Sequence, residues 1–201
     1  MALHSSGPTI LALGDSLTAG YGLQPGDAFP AQLERLLRAT TPDARVINGG
    51  VSGDTTMQGL ARLPRLLSSQ SRKPDLAIVA LGANDMIRGV PAATMRSNLD
   101  AILSSFDDCG IPALLAGMVM PSFLGADFAR RYNAVFADLA AKHGILLYPF
   151  FLQGVVGDPT LLLADRVHPN ARAIGIVARN ILPMVNRALL EGFKQSARSA
   201  A

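Results

Sequence analysis

Three residues of this chain have the types and the spacing that nucleophilic acyl transfer requires. Ser16 follows the apolar run of residues 9–13, where a first strand should end and a helix begin. Asp165 and His168 lie three residues apart far along the chain, just before Pro169-Asn170. A serine hydroxyl becomes a nucleophile when a histidine removes its proton and a carboxylate orients that histidine. We therefore predict Ser16 as the nucleophile, His168 as its base and Asp165 as the orienting acid.

Each of these residues also has an ordinary structural interpretation. Serine often caps helices, so Ser16 alone is weak evidence. A lone histidine is more often a surface residue than a base, and what favours His168 is the acid that precedes it in a turn before a helix. Asp158 is the rival acid, but it precedes a proline, which is typical of a turn. His143 precedes a glycine and is interpreted as a helix C-terminal residue without a catalytic role.

Two further polar segments supply hydrogen-bond donors for a developing oxyanion. Residues 52–55 and 81–85 each follow an apolar, strand-like run. Gly53 offers an unobstructed backbone N–H, Asn84 offers a side-chain amide, and the backbone N–H of Ser16 is a third donor. The alternative interpretation is a plain turn for the first segment and a helix-capping pair for the second.

Five apolar runs and five helical patterns position these residues. The strand-like runs cover residues 9–13, 45–48, 76–81, 113–118 and, more weakly, 145–147. Apolar stripes with helical spacing begin at Phe29, Leu60, Met95, Phe128 and Ile174. Because the strand runs are continuous rather than alternating, they indicate a parallel sheet covered on both faces. We therefore predict a three-layer α/β/α sandwich, with functional groups gathered beyond the carboxyl ends of the strands.

The composition favours one domain, 1–201, with an ordered core over about residues 8–192 and a tail at each end. The chain has 201 residues, of which 49% are hydrophobic and 16% charged. Its single cysteine and three scattered histidines exclude an internal disulfide and imply no metal site. The net charge of +3 is spread over several segments, which argues against a nucleic-acid partner. No run approaches the ~20 apolar residues of a membrane span, so no stable membrane insertion is expected.

The two ends of the chain carry little signal. Residues 1–6 lack the positive region and the long apolar region of a signal peptide, yet they are also what would remain after removal of one. The expected location is periplasmic or secreted in the second case and cytoplasmic otherwise. Residues 194–201 are small, polar and without periodicity, which predicts a frayed tail.

In their order and spacing these segments resemble the SGNH (GDSL) hydrolase superfamily. The four blocks are GDSLTAGYG, NGGVSGDTT, LGAND and DRVHPN, within residues 10–170. SGDTTMQGLARLP and RRYNAVFADLA are further similar to the bacterial branch of arylesterases and of acyl-CoA thioesterase I/lysophospholipase L1. The resemblance implies a flavodoxin-like fold, a triad of Ser16, Asp165 and His168, an oxyanion hole of Ser16, Gly53 and Asn84, and no cofactor.

The resemblance also implies hydrolysis of a small-molecule ester or thioester through an acyl-enzyme. We expect a serine esterase for aryl and alkyl esters of short to medium acyl chains. The alternatives are an acyl-CoA thioesterase or lysophospholipase, and a carbohydrate O-deacetylase. Apolar loops beside the predicted site provide candidate substrate-binding residues, although ordinary packing beneath loops is the alternative. These candidates are Met86, Ile87, Met120, Phe123 and Leu152.

A non-catalytic flavodoxin-like binding domain is the alternative of a different class. A phosphorylated receiver domain would need an acidic cluster after the first strand and an aspartate after the third, which Asp15 and Asp85 only partly imitate. That interpretation leaves Asp165 and His168 unexplained. A dinucleotide-binding domain would need G-x-G-x-x-G after the first strand, and the chain does not have it there.

Overall fold

The protein is described by a computed structural model over residues 7–199, and its five strands form one parallel sheet. The strands are β1 (Thr9–Gly14), β2 (Arg45–Gly50), β3 (Leu76–Ala80), β4 (Ala113–Ala116) and β5 (Leu146–Tyr148). They lie in the order β2-β1-β3-β4-β5, which is the order of flavodoxin-like folds. The predicted α/β class with a central parallel sheet is confirmed.

Seven α-helices lie within the described residues. They are α1 (Ser16–Ala19), α2 (Phe29–Arg38), α3 (Thr56–Ser68), α4 (Ala83–Ile87), α5 (Ala92–Asp108), α6 (Ala126–His143) and α7 (Ala171–Ser199). Each predicted apolar stripe lies on one of the five longer helices, so the predicted alternation of strands and helices is confirmed. The short helices α1 and α4 are additions to it, and both lie at the carboxyl ends of strands.

The first two strands continue one or two residues beyond the predicted runs, and they end in glycines. Gly14 of β1 pairs with Gly50 of β2. A Cβ atom on Gly14 would lie 2.0 Å from Oγ1 of Thr18, and one on Gly50 would lie 2.3 Å from the backbone nitrogen of Ala19. Glycine is needed at both strand ends because α1 crosses directly over them. A hydrophobicity pattern does not register glycine, so the sequence places these strand ends too early.

The core lies between the sheet and the longer helices. All six residues of β1 and all five of β3 are buried. The predicted stripe of α7 is buried as well, with Ile174, Val177, Ile181 and Val185 at most 1% exposed. Burial of such a side chain contributes about 1.5–3 kcal/mol relative to leaving it in water. The central strands are therefore held rigidly, which fixes the positions of the loops that follow them.

Helix α7 has two features that the sequence pattern does not predict. Its segment Ala171–Phe193 is long and apolar enough to cross a membrane, and half of its most apolar window is buried inside the protein. A helix packed into a core has this same pattern. The helix also continues to Ser199, past the predicted core boundary at residue 192, because alanine, lysine, glutamine and arginine favour helix. The predicted tail at residues 1–6 lies outside the described residues.

Candidate active site

The structure brings the three predicted catalytic side chains into one hydrogen-bonded chain. Nε2 of His168 lies 3.1 Å from Oγ of Ser16, and its Nδ1 lies 2.6 Å from Oδ2 of Asp165. Ser16 and His168 are 152 residues apart in sequence, so the fold alone makes this contact. With a proton on Nδ1 shared with the carboxylate, the lone pair of Nε2 faces the serine hydroxyl. This is the arrangement that a general base requires.

Asp165, the predicted acid, is held by hydrogen bonds within its own turn. Oδ1 of Asp165 accepts hydrogen bonds from the backbone N–H groups of Val167 and His168, both at 3.0 Å. These two bonds, followed by the bond to the His168 ring, lower the pKa of Asp165 to about 2. Arg166 makes the turn possible with a φ of 57°, the sole positive φ of a non-glycine residue in the described chain. Asp165 is therefore an anion throughout the pH range in which proteins function.

The rival residues have other partners. Oδ1 of Asp158 accepts from the backbone N–H and the hydroxyl of Thr160, so this acid caps a turn, as the sequence indicates. His143 ends α6, and its Nε2 lies 2.7 Å from Oδ1 of Asp100. Neither side chain contacts Ser16 or His168.

Ser16, the predicted nucleophile, is the first residue of α1, and it does not cap the helix. The cap is Asp15, whose Oδ1 accepts from the backbone N–H of Leu17 at 3.0 Å. The alternative interpretation of Ser16 as a helix cap is thus wrong. Because the aspartate takes the capping role, the hydroxyl of Ser16 remains available to His168.

The three predicted oxyanion donors lie on neighbouring loops at the same sheet edge. The backbone N–H groups of Ser16 and Gly53 have no acceptor among the residues that the structure describes. The side-chain amide of Asn84 donates to Oδ2 of Asp15 at 3.2 Å and to the backbone oxygen of Asp54 at 3.0 Å. Two donors are therefore free, whereas the amide of Asn84 must share a hydrogen with any oxyanion.

The helix that carries Asn84 also differs from the expected capping pair. Helix α4 begins at Ala83, so Asn84 and Asp85 lie inside its first turn, and Gly82 takes the cap position with a φ of 119°. A residue with a side chain is strained at that φ. The glycine lets the chain turn sharply from β3 into α4, which places the amide of Asn84 beside β1.

Buried charges lock the donor loops together through contacts between distant segments, which the sequence does not predict. Both carboxylate oxygens of the fully buried Asp85 bind Thr56 at the start of α3, one through the backbone N–H and one through the hydroxyl. Arg62 of α3 donates to Oδ2 of Asp54 at 2.5 Å and to the backbone oxygen of Gly14 at 2.9 Å. The segments after β1, β2 and β3 thus form one cross-linked unit. The signal in the sequence is the aspartate next to each predicted donor, which comes before Ser16 and after Gly53 and Asn84.

Asp15 is almost as deeply buried as Asp85, since only 1% of it is exposed. Burial raises the pKa of its carboxyl to about 6, although the hydrogen bonds from Leu17 and Asn84 act in the opposite direction. Because its pKa is raised, the carboxyl group of Asp15 favours the folded state in its protonated form and disfavours it in its ionised form. It therefore holds Asn84 in place at a cost in stability.

We expect Asp15→Asn to flatten the pH dependence of stability. With a pKa raised from 3.8 to about 6, folding takes up a proton between these values, so the stability of the parent falls as pH rises through that window. The variant has no such charge. Its free energy of unfolding relative to that of the parent should therefore rise by on the order of 3 kcal/mol from about pH 4 to pH 7. The measurement is the free energy of unfolding by urea at both pH values.

The lost hydrogen bond to Asn84 adds the same offset at every pH, so it does not affect this comparison. If the free energy of unfolding changed equally with pH in the parent and in the variant, the pKa of Asp15 would be ordinary and the prediction would be contradicted.

The five candidate substrate-binding residues divide into three groups by their exposure. Met86 and Met120 are buried in the hydrophobic core, at 7% and 6% exposure, so ordinary packing describes both of them in this structure. Ile87, the last residue of α4, is 77% exposed, and Phe123, in the segment after β4, is 84% exposed. Leu152 is half-buried after β5. Among these five candidates, the apolar surface that faces solvent therefore comes mainly from Ile87 and Phe123.

Within residues 7–199, no group of three histidine, cysteine, aspartate or glutamate side chains could hold a metal ion. The candidate site consists of the predicted triad, the predicted oxyanion donors and the buried network that contacts them.

Comparison with known proteins gives consistent matches over most of the chain. A model of the GDSL-like lipase/acylhydrolase family matches residues 12–173. An arylesterase of Vibrio mimicus is 37% identical over 172 residues, which cover 86% of this chain and 85% of that protein. The Escherichia coli protein named thioesterase 1/protease 1/lysophospholipase L1 is 35% identical over 182 residues, covering 89% and 85%. The crystal structure of AlinE4, described as an SGNH-hydrolase family esterase, is 46% identical with a TM-score of 0.77, covering 94% of this chain and 98% of AlinE4.

Proposed function

Since the chain belongs to the GDSL-like lipase/acylhydrolase family and is a serine esterase, we propose that its acyl-enzyme forms on Ser16, with His168 as base and Asp165 as orienting acid. The observation that carries this assignment is the chain of contacts from Oγ through the imidazole to the carboxylate, at 3.1 and 2.6 Å. The resemblance found in the four sequence blocks is confirmed by the family match. The roles of the individual residues are our proposal.

The proposed reaction has two halves. Nε2 of His168 takes the proton of the Ser16 hydroxyl as Oγ forms a bond to the carbonyl carbon of the ester. The carbonyl oxygen becomes an anion that accepts from the backbone N–H groups of Ser16 and Gly53 and from the amide of Asn84. The bond to the leaving oxygen then breaks, and His168 returns the proton to that oxygen. Water repeats the sequence on the acyl-enzyme and releases the acid.

We propose esters of short to medium acyl chains on aryl or alkyl leaving groups as the substrates. The arylesterase relative supports the aryl group, and the burial of Met86 and Met120 supports the chain length, since little of either side chain is exposed to an acyl chain. Each methylene of an acyl chain gains about 0.8 kcal/mol only where it is buried, and Met86 and Met120 are already packed in the core. Thioesters and lysophospholipids are the second candidate, favoured by the name of the Escherichia coli relative.

A series of p-nitrophenyl esters from acetate to palmitate, with palmitoyl-CoA beside it, tests this specificity. We expect kcat/KM to be highest for the shorter acyl chains and to depend on Ser16, so that Ser16→Ala removes it. A maximum at palmitate or at palmitoyl-CoA would replace our proposal with the second candidate. Turnover of none of these compounds by the parent would contradict both.

We expect Asn84→Ala to lower kcat by about 10²–10³-fold with little change in KM, because the amide serves an oxygen that becomes negative only in the transition state. Steady-state kinetics with p-nitrophenyl butyrate measures both constants. Asn98→Ala is the matched control, since the amide of Asn98 donates to the hydroxyl of Thr56 in the supporting network. The kcat of Asn98→Ala should be at least tenfold higher than that of Asn84→Ala, which corresponds to roughly 1.4 kcal/mol in the barrier. An equal loss of kcat in the two variants would mean that Asn84 only supports the structure of the site.

A further inference from the structure

One aromatic side chain lies directly against the imidazole of His168. The ring of Tyr21 has its centroid 4.3 Å from that of His168, with an angle of 34° between the ring planes. Tyr21 remains 51% exposed, so a large part of its ring is open to a ligand. Nothing in the proposed mechanism uses this residue.

The turn that carries Tyr21 is built to hold the ring in this place. Gly20 and Gly22 flank it with φ values of 84° and 70°, which only glycine adopts without strain. The backbone N–H of Tyr21 donates to the oxygen of Ser16 at 3.1 Å, so the turn is tied to the nucleophile. On the other side, a Cβ on Gly22 would lie 2.7 Å from Cδ1 of Leu163, so the turn also packs against the loop that carries His168.

The chemistry of the leaving group explains why an exposed ring at this position matters. His168 must give its proton to the leaving oxygen, so that oxygen comes within about 2.6–3.2 Å of Nε2. The atoms attached to that oxygen therefore lie beside the imidazole, where the exposed part of Tyr21 meets them. The candidate acyl-side residues, in contrast, lie on the loops after β3, β4 and β5.

We propose that Tyr21 forms the subsite for aromatic leaving groups, a role that rests on the proposed functions of Ser16 and His168. An aromatic ring next to the imidazole stacks on Tyr21, and an aliphatic group of similar reactivity does not gain this contact. Aromatic pairs contribute enough beyond simple burial to change a rate constant by about fivefold.

Two acetates with different leaving groups, phenyl acetate and trifluoroethyl acetate, test the proposal. We expect Tyr21→Leu to lower the ratio of kcat/KM for phenyl acetate to that for trifluoroethyl acetate by about fivefold. Tyr21→Phe removes only the hydroxyl and should keep the ratio of the parent. Phe193→Leu is the matched control, because Phe193 is equally exposed, at 51%, near the far end of α7.

A third ester, phenyl butyrate, separates the leaving-group side from the acyl side. The ratio of phenyl butyrate to phenyl acetate should be the same in Tyr21→Leu and in the parent, since both esters release phenol. An unchanged phenyl-to-trifluoroethyl ratio in Tyr21→Leu, or a change in the butyrate-to-acetate ratio instead, would overturn the subsite. Failure of the proposed function has a different signature, which is retained turnover of all three esters by Ser16→Ala.

Discussion

Replacement of Ser16 by alanine should lower kcat for p-nitrophenyl acetate by at least about 10⁴-fold while the fold persists. The variant loses the oxygen that forms the acyl-enzyme, and a neighbouring water lacks the alignment that α1 gives to Oγ. The backbone N–H of residue 16 and that of Gly53 remain, so weak residual catalysis over the solution reaction is expected. Burst kinetics would show loss of acyl-enzyme formation, and circular dichroism would show an intact fold.

The control for Ser16→Ala is Ser97→Ala, which removes the hydroxyl of an exposed serine on α5. We expect this control to match the parent. The double variant with His168→Ala should lose no more activity than Ser16→Ala alone, because residues that act as one unit are not additive. A further large loss in the double variant would mean that His168 acts on something other than Ser16.

The sheet and the contact between Asp165 and His168 could be predicted from the sequence because their signals are local. Continuous apolar runs mark the buried parallel strands, and Asp165 and His168 are close enough in sequence to share one turn. The segment order then places Ser16 at the edge to which that turn returns. The contact between Ser16 and His168 was expected from this predicted topology, since the two residues are 152 positions apart in sequence.

The supporting contacts could not be predicted, because they join segments that only the fold brings together. The carboxylate of Asp85 binds Thr56, which lies 29 residues away, and the amide of Asn84 reaches Asp15 across 69 residues. Sequence patterns report burial and periodicity, and polar residues in loops give neither signal. The same limit explains why Tyr21 in its glycine-flanked turn carried no prediction.

The network also explains why the site tolerates the buried charge of Asp15. The carboxylate caps α1 and holds the amide of Asn84, so it fixes the proposed nucleophile and a proposed oxyanion donor relative to each other. Donors that are already in position need not reorganise during the reaction, which is the main source of electrostatic catalysis. The stability lost by burying Asp15 is thus coupled to the geometry of the site.

Asp165→Asn should lower kcat by about 10³–10⁴-fold, the second-largest effect that we expect. The asparagine oxygen can still accept from the backbone N–H groups of Val167 and His168, so the turn should persist. Its amide nitrogen, however, replaces Oδ2 and must donate to Nδ1 of His168. The histidine proton then moves to Nε2, which faces Ser16 and can no longer accept the hydroxyl proton. Steady-state kinetics from pH 5 to pH 9 would measure the loss.

Asp158→Asn is the matched control. Asp158 lies seven positions before Asp165, and it also caps a turn by accepting from the backbone N–H two residues later. A purely structural role for Asp165 predicts similar, small losses in both variants. A role in orienting the histidine predicts a large loss in Asp165→Asn alone. Since the pKa of Asp165 is lowered to about 2, its carboxylate stays ionised over the whole range from pH 5 to pH 9. The loss should therefore persist at every pH measured, and a loss confined to one end of the range would contradict the tautomer argument.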